Sequence, residues 1–427
     1  MNDFEEFEQN SVTQKWEEIY TYIKGYASID MPNTSLALAA AMRFHGGQTR
    51  DSGEPYIIHP LMVTLYLLNL GIDNDVICAA SILHDVIEDQ PERTRNGEIL
   101  EEEYGISREV INIVRLLTKD KSNYDANKYY ENISKNKDAL LIKLSDRANN
   151  CSTMSVFTPE RMNKYVKETK EYIYALCKYG KTYYPEFSNQ ITIMKYQIVS
   201  ICETIDALLN NEFENLQDHT YYRKTFEYIR GVAKRKNLTN TLIALPLCEK
   251  LHAGQLRKSG DPFIIHPLRV ASYLIALKIY DDETLAAALL HEVFKKCQIQ
   301  RPGTILEDKY RLSHEVVSLI NLVSKHEKIP IESYYENLKQ NYKALLIKLS
   351  NRANTCTTLK SCEEDEITEY LKESNDYIFP LCDFGIDTYP EYSDQIENMK
   401  YHISSISNIV LTLYKHNNTK MPENVTE

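Results

Sequence analysis

The chain is written twice. FHGGQTRDSGEPYIIHPLMV (44–63) returns as LHAGQLRKSGDPFIIHPLRV (251–270), and AASILHDVIEDQ (79–90) as AAALLHEVFKKC (286–297). YYENISKNKDALLIKLSDRANNCSTM (129–154) returns as YYENLKQNYKALLIKLSNRANTCTTL (334–359), and YYPEFSNQI (183–191) as TYPEYSDQI (388–396). A period of about two hundred residues is a tandem duplication of a whole domain, not the short repeat of a solenoid. Whatever fold one half takes, the other must take too, and 427 residues suffice for two separate cores. The expected domains are 1–210 and 211–427, joined by the polar, acidic stretch from Asn210 to Gln217, with a frayed polar tail after about Tyr414.

Within each half the apolar pattern is helical. Val76, Ile77, Ala80, Leu83 and Ile87 recur at spacings of three and four, as do Val110, Ile111, Val114 and Leu117 behind a cap at Ser107. Leu140, Leu141 and Leu144 begin another such helix, and no period-two strand stands out. RDSGEP (50–55) reads as a turn, because Gly53 and Pro55 break regular structure. Pro60 suits a first helical position, which predicts His59 as the cap. The expected fold class is all-α, with two tandem helical domains.

Composition narrows the function classes. Hydrophobic content of 43% and charged content of 26% are those of a globular chain. The start, MNDFEE, is acidic and unlike a signal peptide, and no apolar run has the length of a membrane span. Nine scattered cysteines without a CxxC pair argue against a disulfide framework or zinc ribbon and fit a reducing cytoplasm. A net charge of −12 disfavours long nucleic acid, whose binding is driven by phosphate neutralisation. A small anionic substrate remains open, since a local metal or arginine overrides the global field. Oligomeric state leaves no signal in the sequence.

The chemistry sits on His59, the doublet His84-Asp85, and Asp146. Singly, these read as a helix cap, a core histidine and an ion-pair partner. Together, two imidazoles and two carboxylates form a mixed nitrogen and oxygen set that suits Mn²⁺, Fe²⁺ or Zn²⁺. Such a cation lowers the pKa of bound water and polarises a phosphoryl oxygen. His84 and Glu88, and Asp85 and Asp89, are four residues apart, so one helix is expected to carry both pairs. Glu88 and Asp89 then stand one turn from the ligands, where a carboxylate can orient water or shuttle its proton. Arg50 and Ser52, just before His59, are placed to grip a phosphate or nucleotide. His45 recurs as His252, which points to a scaffold or supporting role.

The ordered set His45, Arg50 to Pro60 (RDSGEPYIIHP), Leu83 to Asp89 (LHDVIED) and Ile142 to Asn150 (IKLSDRANN) resembles the hydrolase domain of RelA/SpoT-type proteins, a branch of the HD phosphohydrolases. The likeness covers about 30 to 190, and more weakly about 240 to 395. The resemblance implies an α-helical fold and Mn²⁺ held by His59, His84, Asp85 and Asp146. It implies removal of the 3′-pyrophosphate from (p)ppGpp to give GDP or GTP, with Glu88 and Asp89 handling water and proton. It also places Arg50, Ser52, Asn150 and Thr153 at the nucleotide. One position departs: Asp51 stands where the family has Lys. Another nucleotide substrate, such as NADPH or a different alarmone, therefore stays open beside (p)ppGpp. So does a non-enzymatic nucleotide sensor, against which the first copy's metal constellation argues.

In the second copy His266 and His291 persist, but Glu292, Lys295, Lys296 and Asn351 replace Asp85, Glu88, Asp89 and Asp146. No catalytic metal is expected there, because lysines repel a cation and Asn is a poor hard-metal ligand. The simpler expectation is a decayed duplicate that only packs. The other is a nucleotide holder in which lysine replaces the metal's charge, and it draws on Arg257-Lys258-Ser259, which keeps the family pattern.

Overall fold

A computed structural model describes residues 16–28, 30–210, 219–296, 302–325, 328–357, 359, 362 and 364–419. The expected linker, apart from Asn210, lies outside these residues. The chain divides into two compact units, 1–199 and 200–427. The final helix, Ser393–Thr419, continues past Tyr414.

Both units are helical. Among the described residues there is no strand, only the isolated bridges Thr49↔Pro55 and Leu256↔Pro262. The first bridge closes the predicted turn, with Arg50 N–H bonding Glu54 O at 2.9 Å and Gly53 held at φ +83°. That left-handed angle favours glycine there. No described helix is long and apolar enough to cross a membrane.

In the first unit the helix Lys137–Ser152 is the central element, started by the Asn136 side chain accepting from Ala139 N–H. It packs on Ile58–Asn69, Asp75–Leu83 and Arg108–Leu117. Leu140, Leu141, Ile142, Leu144 and Ala148 supply its apolar burial. The same helix also buries Lys143, Ser145, Asp146, Arg147 and Asn149. Burying polar and charged groups is costly unless each is paired, so these residues point to a site or to its support. Ser145 donates to Val63 O at 2.8 Å, and its counterpart Ser350 to Val270 O at 3.0 Å. Arg147 is fixed by Thr169 Oγ1 at 3.1 Å and Glu168 Oε1 at 3.0 Å, where the chain forms a π-helical turn over Thr169–Ile173. The second unit repeats this turn at Ser374–Ile378, against Arg352. Gly180 lies so close to Leu140 and Ile191 that a Cβ would approach Ile191 Cδ1 to 2.8 Å; Gly385 repeats that contact against Leu345 and Ile396.

Ser107 is the N-cap of Arg108–Leu117, yet its hydroxyl makes no capping bond. Its backbone N–H is taken by Asn33 Oδ1 at 2.9 Å. Tyr129 and Tyr130 are core residues: Tyr129 donates to Leu117 O at 2.7 Å, and Tyr130 stacks on Tyr172.

Candidate metal centre

Three segments deliver the predicted ligands, two of them differently from expectation. The helix Ile58–Asn69 starts earlier than Pro60 suggests: Ile57 is its N-cap, so His59 and Pro60 both sit in the first turn. Proline is tolerated there because first-turn N–H groups lack helical partners anyway. The single helix expected through 84–89 is broken. His84 caps the end of Asp75–Leu83, and Asp85 caps the start of Val86–Asp89. Successive side chains on an unbroken helix diverge by about 100° and could not meet at one point. At the break, His84 Nε2 and Asp85 Oδ2 approach to 3.2 Å.

The four donor atoms cluster. His59 Nε2 lies 3.5 Å from Asp85 Oδ2 and 3.3 Å from Asp146 Oδ1; His84 Nε2 lies 3.7 Å from the same Asp146 oxygen. Donors bound to one cation at about 2.0–2.2 Å sit about 3.0–3.5 Å apart at neighbouring positions; His59, His84 and Asp85 meet as one such group, and Asp146 faces both imidazoles beside them. The tautomers agree. His84 Nδ1 faces Ser81 O at 2.8 Å, and a carbonyl can only accept, so Nδ1 carries a hydrogen and Nε2 is the nitrogen turned inward. His59 Nδ1 is held the same way against Asn149 Oδ1 at 2.7 Å. Such outward bonds orient metal-bound histidines. His84 Nε2 is buried without a hydrogen-bond partner. Burial opposes charge on His84, yet Asp85 and Asp146 outweigh it and raise the imidazole to about 10. Both carboxylates are held well below their usual range despite burial, Asp85 chiefly by His84 and Asp146 chiefly by Lys143. The cluster attracts positive charge, which a divalent cation provides.

Around the ligands a second set of bonds fixes the carboxylates. Tyr56 donates to Asp85 Oδ2 at 2.7 Å, and Lys143 Nζ to Asp146 Oδ2 at 2.7 Å. Arg50 Nη2 donates to Asn150 Oδ1 at 2.8 Å, and Asn150 Nδ2 donates onward to Asp146 Oδ1 at 2.5 Å. The turn 50–55 is thus wired to a ligand. Glu88 accepts from Lys119 N–H at 3.0 Å. Asp89 stands exposed, its carboxyl raised by partial desolvation and then by Asp85. Ser52 bonds Glu54 at 3.3 Å on the surface, and Thr153 bonds the carbonyls of Asn149 and Asn150 at the helix end. Neither makes a side-chain bond to a ligand. Asp51 pairs across the surface with Arg161. In the second copy the corresponding pair is Lys258 with Glu366, the same bridge with its charges exchanged.

Tyr56 and Asn149 were not singled out from sequence. The repeat held a signal for Tyr56: its counterpart is Phe263, so the hydroxyl is present only in the copy that has Asp85. His45 is buried, stacks on Tyr56 and bonds Gln48 at 2.7 Å, as a scaffold residue does.

In the second unit His266 and His291 stand as their counterparts do, Nδ1 against Asn354 Oδ1 at 2.6 Å and Ala288 O at 2.7 Å. Glu292 joins them to within 4.8 Å, but its Oε1 lies 3.8 Å from His291 Nε2. Asn351 contributes no charge and accepts from Thr355 Oγ1 at 3.2 Å. Burial, then Arg257, holds His266 well below its usual range, and burial lowers His291. The side chains of Lys295 and Lys296 lie outside the described residues.

A helical scaffold that carries two histidines and an aspartate to one cation-sized point, with Asp146 facing both imidazoles, defines a class of candidate metal-centre domains. The chain matches the HD domain over residues 37–177 and again over 244–381, and it belongs to that family in both halves. It is similar to a guanosine-3′,5′-bis(diphosphate) 3′-pyrophosphohydrolase of Aquifex aeolicus, at 39% identity over 136 residues, 31% of this chain and 19% of that protein. It is also similar to the bifunctional (p)ppGpp synthase/hydrolase SpoT of Escherichia coli, at 34% over 141 residues, 30% of this chain and 19% of SpoT. A Spiroplasma citri pyrophosphohydrolase matches at 33% over 176 residues, 38% of this chain and 23% of that protein. The chain spans about a fifth of these relatives' length.

Proposed function

We propose that the first copy is a Mn²⁺-dependent hydrolase that removes pyrophosphate from the 3′ position of (p)ppGpp, leaving GDP or GTP. The observation that carries this reading is the wiring of the turn at Arg50 to the ligand Asp146 through Asn150, which couples a phosphate grip to a metal centre. The names of the relatives support the substrate class. His59, His84, Asp85 and Asp146 would hold the cation, which supplies Lewis acidity toward the phosphoryl group and its water.

The chain's own groups have separate tasks in this reading. Arg50 offers donors to an anionic oxygen, and Ser52, Asn150 and Thr153 lie beside the path of the nucleotide. Tyr56 and Lys143 hold the two carboxylates in place. Glu88, anchored by Lys119 N–H, orients water. Asp89, with its raised carboxyl, takes a proton from that water as its oxygen bonds phosphorus, and the proton is delivered to the 3′ oxygen as the bond from phosphorus to that oxygen breaks, giving the 3′-hydroxyl and pyrophosphate. All the described cysteines are free, which suits a reducing cytoplasm.

A second reading rests on the Asp51–Arg161 bridge, which puts an acid where the family has a cation and so favours another nucleotide, NADPH or a different alarmone. Incubating the purified protein with ppGpp and Mn²⁺, with and without chelator, separates the two. Chelator-sensitive pyrophosphate release is expected. Its absence for ppGpp, with turnover of another nucleotide, would replace the first reading by the second.

A further inference from the structure

The second unit keeps a ligand geometry of its own. The His266 and His291 rings stand with centroids 5.1 Å apart, the spacing of His59 and His84 in the first unit. Their Nε2 atoms face one another at 3.1 Å. Each Nδ1 is engaged outward, with Asn354 Oδ1 2.6 Å from His266 and Ala288 O 2.7 Å from His291. Both oxygens accept, so both rings carry a hydrogen on Nδ1. Two such imidazoles have nothing to share at Nε2 unless a proton or a metal ion stands between them. A proton would create an imidazolium where the residues are only 4% and 3% exposed, and burial disfavours that charged form. A metal ion instead forms coordinate bonds to both nitrogens, and neutral imidazole is the form that ligates.

Glu292 completes a group of three donor atoms, all within 4.8 Å of one another. Asn351 meets His291 from the helix Tyr342–Cys356, as Asp146 meets His84 in the first unit. These four residues line a cavity of about 350 Å³, which leaves room for water as further ligand. The cations nearby do not bar a metal. Lys348 pairs with Glu373 at 3.7 Å and lies over the rings of Tyr334 and Tyr335. Arg257 and Lys348 are the counterparts of Arg50 and Lys143, which border the first centre too.

The donor set differs in kind from the first. There two carboxylates join two imidazoles; here one carboxylate and a neutral amide do. Loss of a carboxylate weakens an oxygen-seeking ion such as Mn²⁺ more than Zn²⁺, for which two histidines and a glutamate with an open position suffice. We propose that the second copy is a Zn²⁺ site held by His266, His291 and Glu292, with Asn351 beside them, and that it selects against Mn²⁺. The positions of Glu88 and Asp89 carry no carboxylate in this copy, so the ion is held without the acid pair that would handle water. The inference does not depend on the substrate of the first copy.

The test uses the untagged full chain carrying Asp146→Asn, which removes a ligand from the first copy. The chain is freed of metal with EDTA, then of EDTA, and dialysed to equilibrium against Zn²⁺ or Mn²⁺. One Zn²⁺ per chain is expected, held roughly tenfold or more tightly than Mn²⁺. Adding Glu292→Gln should weaken Zn²⁺ by roughly tenfold or more, Glu292→Asp should retain most of the affinity, and adding His291→Ala should abolish it. Co²⁺ in place of Zn²⁺ should give an absorption band that disappears with His291→Ala and stays with His59→Ala. Melting in EDTA checks that each variant is folded. Absence of Zn²⁺ binding to the Asp146→Asn chain overturns the proposal. So does Zn²⁺ that survives both Glu292→Gln and His291→Ala, or a site that takes Mn²⁺ as tightly.

Discussion

Asp146→Asn installs in the first copy what the second copy already has, and its cost can be worked from the contacts. Asp146 Oδ2 accepts from Lys143 Nζ at 2.7 Å, and its Oδ1 accepts from Asn150 and faces both imidazoles. Lys143 is 11% exposed at its side chain, so the substitution strands a buried ammonium. Breaking a buried pair from one side costs about 3–5 kcal/mol. Glu168 cannot readily take over, because Arg147 and Tyr130 occupy it at 3.0 and 2.8 Å. For a unit of this size each kcal/mol shifts Tm by roughly 2–4 °C, so a fall of about 6–20 °C is expected in EDTA. Metal affinity should fall together with activity, because one of two anionic ligands is gone. Thermal melting and a chelator-competition titration read the two effects separately. The double variant Lys143→Met/Asp146→Asn distinguishes them: it should regain most of the stability, having removed the stranded charge, and none of the metal affinity. Full Mn²⁺-dependent turnover by Asp146→Asn would refute the ligand assignment. An unchanged Tm in EDTA would refute the buried-pair reasoning.

Tyr56→Phe copies Phe263 and frees Asp85 from its 2.7 Å bond; a loss of roughly 10–100-fold in metal affinity is expected, and unchanged affinity would leave the hydroxyl without a role. Asn150→Thr cuts the link from Arg50 to Asp146, and KM in the turnover assay should rise about tenfold, in line with one charge-assisted hydrogen bond. The Asp51–Arg161 bridge is more than half exposed on both sides, so Asp51→Lys with Arg161→Glu should show a coupling of about 0.2–1 kcal/mol in a melting cycle, and a larger value would contradict its surface placement.

Much of this was legible in the residues because the chain contains its own comparison. The duplication matches the two compact units, the spacings of three and four match helices, and the ordered motif brings His59, His84 and Asp85 together with Asp146 facing both imidazoles. What the sequence did not disclose has physical causes. The break between His84 and Asp85 leaves both residues with right-handed backbone angles, so no glycine or proline marks it. The second unit repeats the break between Leu290 and Val293, so it belongs to the shared fold and not to the ligands alone. Ser107 looks like a cap, yet its hydroxyl is unused, while its counterpart Ser313 caps Val316 N–H although both serine N–H groups are held alike by Asn33 and Asn240. The π-helical turn after Glu168 follows from Arg147 needing partners across the core, which no local propensity encodes.

The two histidines could never have separated the copies, and the hydrogen bonds show why. Each imidazole is also a core strut through Nδ1, to Asn149 and Ser81 in one unit and to Asn354 and Ala288 in the other. Exchange of the carboxylates leaves that bond intact, so the histidines persist. The exchanged residues, by contrast, tend to change in partnered groups. Asp85 and its donor Tyr56 become Glu292 and Phe263; Asp146 and its donor Asn150 become Asn351 and Thr355; Asp51 and Arg161 become Lys258 and Glu366. Unconstrained decay would instead leave partners stranded across both classes of charge.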